Sequence, residues 1–153
     1  MKILVTGATG FVGRHLAKRL VDEGKSVLCL VRKSSEAEFL KTLGVKLVYG
    51  DLLDKNSLKK VLRDSKIGVL YHLAGLVYSS SAKSFFEVNV EGTRNLLESL
   101  FPQLVELFIY LCSIAVNGFS KNGTLINETY PCNPFTPYGR SKLIAENLVL
   151  NFF

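Results

Sequence analysis

Tyr138 and Lys142 stand four residues apart in Tyr138-Gly139-Arg140-Ser141-Lys142. On a helix this spacing puts both side chains on one face, one turn apart. A free phenol titrates near ~10, too high for easy proton exchange at neutral pH. A neighbouring ammonium stabilises the phenolate and lowers that value. Such a pair can exchange a proton with a hydroxyl or carbonyl substrate. A second constellation opens the chain, where the apolar run Ile3-Leu4-Val5 leads into Thr6-Gly7-Ala8-Thr9-Gly10-Phe11-Val12-Gly13. A glycine-rich turn between a strand and a helix can hold a pyrophosphate. Gly7 permits the tight turn, Gly10 lets the backbone approach the anion, and Gly13 lets the helix lie close to its strand. The helix N-terminus supplies free N–H groups and a positive end. Gly7 and Gly10 are two residues apart, where the common G-x-G-x-x-G fingerprint has one. Each motif has a plain alternative when taken alone: a tyrosine at the rim of an amphipathic helix, and an ordinary glycine turn.

The elements that must position these residues alternate strand and helix along the whole chain. That order predicts an α/β fold, a doubly wound parallel sheet of about five strands with helices on both faces. After the first strand, a helix over 11–23 carries the apolar stripe Phe11, Val12, Leu16, Leu20 and Val21, and Gly24 ends it. Strands are expected over 26–31, 45–49, 69–73 and 107–112. Ser35 and Glu38 have the spacing of a capping box for a short helix bearing Phe39, Leu40 and Leu43, stopped by Gly44. Asp54 is placed to cap a helix reaching about residue 62. A long helix is expected over 82–100, with Pro102 just past its end. Thr136-Pro137 reads as an N-cap and first-turn proline for a last helix running to the end. The irregular stretch 117–136 is long for a compact domain, and such loops are usually functional.

With six landmarks in order, the chain resembles the short-chain dehydrogenase/reductase superfamily, in its extended branch of NAD-dependent epimerases and dehydratases. The landmarks are the glycine turn, Gly50-Asp51-Leu52, His72-Leu73-Ala74-Gly75, Asn89-Val90-Glu91-Gly92-Thr93, Cys112-Ser113-Ile114-Ala115-Val116-Asn117-Gly118, and Tyr138-x-x-x-Lys142. The resemblance implies a Rossmann-like domain over residues 1–153. It implies a catalytic set of Ser113 on the substrate oxygen, Tyr138 as proton donor or acceptor, and Lys142 tuning the tyrosine and holding the nicotinamide ribose. The dinucleotide would touch Gly7, Thr9, Gly10, Phe11, Val12 and Gly13 in the first turn, Asp51 and Leu52 at the adenine, Leu73, Ala74 and Gly75 after the fourth strand, and Asn89, Tyr138 and Lys142. Asn89 is also expected to support the site. Cys112 and Asn117 stand where the family usually has Ser and Tyr. The Leu-Val-Arg turn followed by Gly-Asp-Leu is most similar to the dihydroflavonol-reductase-like branch.

Where NAD-specific domains place an acid after the second strand, to bind the ribose 2′-hydroxyl, this chain has Val31-Arg32-Lys33-Ser34-Ser35. Arg32 and Lys33 suit a 2′-phosphate, so NADP(H) is favoured and NAD(H) is the alternative. A basic surface turn would account for the same residues. His15 is expected on an exposed helix face, and His72 as a satisfied residue at a strand end.

The bulk properties bound the remaining choices. The chain has 153 residues, 48% of them hydrophobic and 21% charged, which fits one globular domain. The first apolar run is too short for a secretory signal and no run is long enough to span a bilayer, so a cytoplasmic protein is expected. Cys29, Cys112 and Cys132 have no metal-ligand spacing and are expected as reduced thiols. The net charge of +6 could serve an anionic ligand, but the basic residues are scattered and form no nucleic-acid motif. The resemblance implies further strands and a small substrate lobe that these residues do not supply. The chain is therefore expected to be cut from a longer reductase, or else to be a dinucleotide-binding module without turnover. The apolar end, Leu148-Val149-Leu150-Asn151-Phe152-Phe153, asks for a covering surface. The resemblance also implies a homodimer through helices about 82–100 and 137–153, with a small-molecule substrate and no membrane or nucleic-acid partner.

Overall fold

The computed structural model describes residues 1–63, 65–100, 105–120 and 123–153. Five strands form one parallel sheet in the order β3-β2-β1-β4-β5. They are β1 (Lys2–Thr6), β2 (Ser26–Val31), β3 (Lys46–Tyr49), β4 (Ile67–His72) and β5 (Leu107–Tyr110). The helices are α1 (Phe11–Asp22), α2 (Glu38–Thr42), α3 (Lys55–Arg63), α4 (Ala82–Phe85), α5 (Gly92–Leu100) and α6 (Pro137–Phe152). Alternate strand residues face opposite layers. Ile3, Val5, Val27, Cys29 and Val69 pack under α1 and α2 with Ala17, Leu20 and Leu40. Leu4, Leu28, Leu30 and Leu70 pack under α3, α5 and α6 with Leu58, Leu62, Leu96, Leu100 and Val149. The near-continuous apolar runs of the strands follow from this burial on both faces.

Local chemistry sets most boundaries. Gly24, at φ +70, closes α1. Its N–H donates to the Val21 carbonyl and that of Lys25 to the Leu20 carbonyl, a left-handed cap that ordinary residues resist. Asp54 Oδ1 accepts the N–H groups of Asn56 and Ser57 at the start of α3. Thr136 Oγ1 accepts the Gly139 N–H at 3.0 Å, with Pro137 in the first turn of α6.

Three expectations need correction. The Ser35–Glu38 capping box does not form: α2 starts at Glu38 with Ala37 before it and no side-chain cap. Ser35 instead closes a turn, its N–H donating to the Arg32 carbonyl at 3.0 Å. The helix over 82–100 is interrupted by a π-helical stretch, Phe86–Glu91, between α4 and α5. The fourth strand lies two residues earlier than expected at its start, and the fifth ends at Tyr110, after which the Leu111 N–H still donates to the His72 carbonyl before the chain reaches a 3₁₀ helix, Ile114–Val116. Pro102 lies outside the described residues. No helix among the described residues is long and apolar enough to cross a membrane.

The junction of β1 and α1 is a close backbone-to-backbone contact. A Cβ on Gly13 would lie 2.2 Å from the Gly7 carbonyl oxygen and 2.7 Å from Ala8 Cα. Neither is a flexible side-chain end, so α1 would have to move off the sheet. Gly13→Ala is expected to destabilise the protein by about 2–3 kcal/mol, the usual cost of forcing volume into a packed site. Urea denaturation measures this, and a loss below about 0.5 kcal/mol would show that α1 shifts freely.

Candidate active site

All five strands point their carboxyl ends to one edge of the sheet, and a cleft of about 460 Å³ runs along it. At its centre is the glycine turn. Gly7 has φ +71, and a Cβ there would sit 2.6 Å from the Ala74 amide nitrogen. The turn after β1 therefore packs directly on the turn after β4. Gly10 precedes α1 without a side-chain cap, and the first turn of α1 carries no acid. The first helical bond is from the Arg14 N–H to the Gly10 carbonyl. The N–H groups of Phe11, Val12 and Gly13 thus have no partner within the helix. Gly10, Phe11, Val12 and Gly13 all line the cleft. A bare helix start on a cleft with no Cβ in the way fits a phosphate.

The flanking positions fall on both sides of this centre. Thr9, Arg32, Asp51, Leu52, Leu73, Ala74 and Gly75 all line the cleft, as do Tyr138 and Lys142. Ser35 joins Arg32 at the end of β2, whereas Lys33 is exposed and is not part of the lining. Asp51 is held in place, its Oδ1 accepting the Leu53 N–H and its own N–H donating to Ser57 Oγ. Ser113 is not in the lining either. Its Oγ accepts the Ala115 N–H at 3.2 Å and caps the 3₁₀ turn, which leaves its own O–H proton to donate. Asn89 lies behind the wall and is 2% exposed. Its Oδ1 accepts the Leu76 N–H at 2.7 Å, and its Nδ2 donates to the Leu76 carbonyl and to Ser141 Oγ. It pins the segment after Gly75 to α6 and is not part of the cleft lining.

Beneath Tyr138 and Lys142 runs a fully satisfied polar path. Thr93 Oγ1 donates its single proton to the Asn89 carbonyl at 2.6 Å. His72 Nε2 must therefore be the donor in its 2.9 Å bond to Thr93 Oγ1. That leaves Nδ1 as acceptor, so Thr6 Oγ1 donates to it at 2.7 Å while accepting the Ala74 N–H. Proton accounting thus selects the Nε2–H tautomer for a neutral His72. Burial agrees, pushing its pKa down to about 3, with the charge of Lys142 adding to the effect. The expectation of a satisfied strand-end histidine holds. His15 is exposed as expected, stacking edge-on with Phe11.

Lys142 is itself only 5% exposed. Burial lowers its pKa from 10.5 to about 8, while Cys112 and Glu146 pull in the other direction. The Lys142 ammonium lies 4.2 Å from the centre of the Tyr110 ring. Cys112 lines the cleft beside it and hydrogen-bonds Glu146, and burial pushes the thiol up to about 11. Tyr110, Cys112 and Glu146 were not candidate functional residues in the sequence. Leu76, Val77, Val88 and Leu111 also line the cleft. Their neighbours in sequence, Gly75, Asn89 and Cys112, were the available signal.

The parallel order, the glycine turn and the cleft at the strands' carboxyl ends define an α/β domain of the Rossmann type. The chain belongs to the NAD dependent epimerase/dehydratase family, whose model matches residues 3–153. It is 35% identical over 157 residues to "Sterol demethylase protein B" of Methylococcus capsulatus, covering 98% of this chain and 46% of that protein. It is 33% identical over 153 residues to a UDP-glucose 4-epimerase of Lactobacillus helveticus, covering 97% of this chain and 46% of the relative. The solved UDP-glucose 4-epimerase of Thermus thermophilus in complex with NAD superposes with a TM-score of 0.89 at 30% identity, covering 99% of this chain and 50% of that one. The chain spans about half the length of the relatives it matches.

The low pKa of Lys142 has a measurable cost. Between about pH 8 and 10.5 the unfolded chain holds this proton and the folded chain does not, so folding stability rises with pH across that window. Below it the folded state carries the whole penalty of a buried charge. Lys142→Met keeps the volume and removes the charge. It is expected to raise stability at pH 7 by on the order of 3 kcal/mol. The gain should shrink above pH 8 and vanish near pH 10.5. Urea titrations of both proteins from pH 7 to 10.5 check this, and a gain independent of pH would show that the lysine is not buried as a cation.

Proposed function

We propose that this chain carries the dinucleotide site and acid–base helix of an NAD(P)-dependent oxidoreductase, epimerase or dehydratase acting on a hydroxyl or carbonyl group. The observation that carries the reading is the presence of Tyr138 and Lys142 in the same cleft as the uncapped start of α1. When bound, the dinucleotide supplies the hydride acceptor or donor. The chain's own residues handle the proton and the binding. Tyr138 gives or takes a proton at the substrate oxygen. Ser113, whose O–H is not spent in its cap, donates to that oxygen. Lys142 stabilises the phenolate and binds the ribose hydroxyls. The N–H groups at the start of α1 receive the pyrophosphate.

NADP(H) is the preferred cofactor in this reading. Arg32 lines the cleft at the end of β2, and no carboxylate stands there to accept a 2′-hydroxyl. The Thermus relative is a complex with NAD, so the preference rests on Arg32 alone. A homodimer through residues 82–100 and 137–153 belongs to the same reading; Ile144 and Leu150 are exposed apolar residues of α6. A cytoplasmic location is supported by three free cysteines.

Calorimetric titration with NADPH and NADH tests the cofactor assignment. Arg32→Gln is expected to weaken NADPH binding by about 10–100-fold, the worth of a charge-assisted contact, and to leave NADH binding unchanged. Equal losses for both would refute the preference. Tyr138→Phe should lower turnover by about 10²–10⁴-fold with dinucleotide affinity retained, and unchanged turnover would refute the acid–base role. Binding without turnover on any hydroxyl or carbonyl substrate would leave the chain a dinucleotide-binding module.

A further inference from the structure

Lys142 is a buried cation, and among the described residues no carboxylate lies within ion-pair distance of it. What lies beneath it is an aromatic ring. The Tyr110 centroid is 4.2 Å from Lys142 Nζ, well inside the range at which a ring face attracts an ammonium. The ring is fixed from below. Tyr110 pairs with His72 across β5 and β4, their rings 5.6 Å apart. His72 is in turn clamped by Thr6 and Thr93. The Tyr110 hydroxyl reaches the Lys142 carbonyl at 3.5 Å, a long contact that adds little. Burial holds the Tyr110 phenol un-ionised at neutral pH, so it acts through its ring face and not as a counter-ion.

We propose that Tyr110 is the positioning residue of the Lys142 ammonium, holding it over a ring face where an ion pair would otherwise be needed. This rests on the reading of Lys142 as the functional cation. A carboxylate at this place would accept Lys142 N–H bonds and neutralise its charge. A ring face attracts the charge without consuming a hydrogen bond, so the donors remain for the cleft. The ionisable groups facing Lys142 are Tyr110 and Cys112 from β5 and the turn after it, His72 from β4, and Tyr138 and Glu146 from α6. His72 is neutral and adds no repulsion. Glu146 is engaged with Cys112.

The test follows the Lys142 side chain by NMR with ¹³C,¹⁵N-lysine in the whole chain, titrated from pH 6 to about 11. Tyr110→Phe keeps the ring and is expected to leave the Lys142 midpoint in place. Tyr110→Leu removes the ring and should lower the midpoint by about 0.5–1 pH unit. Pentafluorophenylalanine in place of Tyr110 keeps the shape, reverses the ring's field, and should lower the midpoint also. It decides the matter if the leucine variant does not fold. A midpoint unmoved by fluorination, or lowered as far by Tyr110→Phe, would overturn the proposal. NADPH titration of the unaltered chain is read separately. Failure to bind, with the Lys142 shifts present, would sustain Tyr110's role and refute the cofactor reading.

Discussion

The candidate site depends on one buried path of hydrogen bonds, from Thr6 in β1 through His72 in β4 to Thr93, Asn89 and Ser141. It crosses from the sheet to α5 and ends on α6, where the Ser141 hydroxyl donates to the Tyr138 carbonyl. Every hydroxyl in it has one proton, and each proton has one place to go. In a low-dielectric interior such a path is stabilising only when complete, because any unpaired member carries its full desolvation cost. No buried side-chain nitrogen or oxygen among the described residues lacks a partner. The path therefore holds the helix bearing Tyr138 and Lys142 at a fixed height above the sheet. Its Asn89 branch also fixes the Leu76 backbone and, with it, the wall beside Gly75.

Sterics complete what the hydrogen bonds begin. The β1 turn meets the β4 turn at Gly7, where a Cβ would lie 2.6 Å from the Ala74 nitrogen. On the other side, a Cβ on Gly139 would lie 2.4 Å from the Ala115 carbonyl oxygen. That contact seats α6 directly on the 3₁₀ turn capped by Ser113. The glycine inside Tyr138-Gly139-Arg140-Ser141-Lys142 thus sets how close the tyrosine helix comes to the serine turn. Backbone-to-backbone packing of this kind is rigid, since neither partner has a side chain that can rotate aside.

Much of this was legible in the sequence, and the exceptions are instructive. The strand–helix alternation gave the five parallel strands, and the Asp54 and Thr136 caps form as their side-chain chemistry predicts. Arg32 and the glycine turn reach the cleft. Ser35 failed as a helix cap because its backbone closes a turn with Arg32, and cap and turn compete for the same few residues. Lys33 is not in the cleft lining although its charge equals that of Arg32; it lies past the end of β2, in the turn that Ser35 closes on Arg32. The π-helical stretch, Phe86–Glu91, was read from its apolar residues as part of one continuous helix. It contains Asn89, whose side chain meets both Leu76 and Ser141. Tyr110 was unreadable for another reason. In a strand sequence a tyrosine is simply a good β residue, and its relation to Lys142 exists only once β5 and α6 are packed together.

The composition around Lys142 follows from a single electrostatic requirement. A cation buried to this degree is costly, and a nearby carboxylate would lower the cost by absorbing its field. Here Glu146, engaged with Cys112, offsets part of the charge from beyond ion-pair distance. Neutral His72, Asn89 and the Tyr110 ring add polar but uncharged surroundings. Lys142 and Tyr138 line the same cleft, so the ammonium's charge acts on the phenol from one wall of it. The neutral Nε2–H form of His72 is essential to this arrangement. A protonated imidazole would lose its acceptor at Nδ1, break the bond from Thr6, and place a second positive charge beside the first. The same tautomer that completes the hydrogen-bond path therefore also keeps a second positive charge away from Lys142.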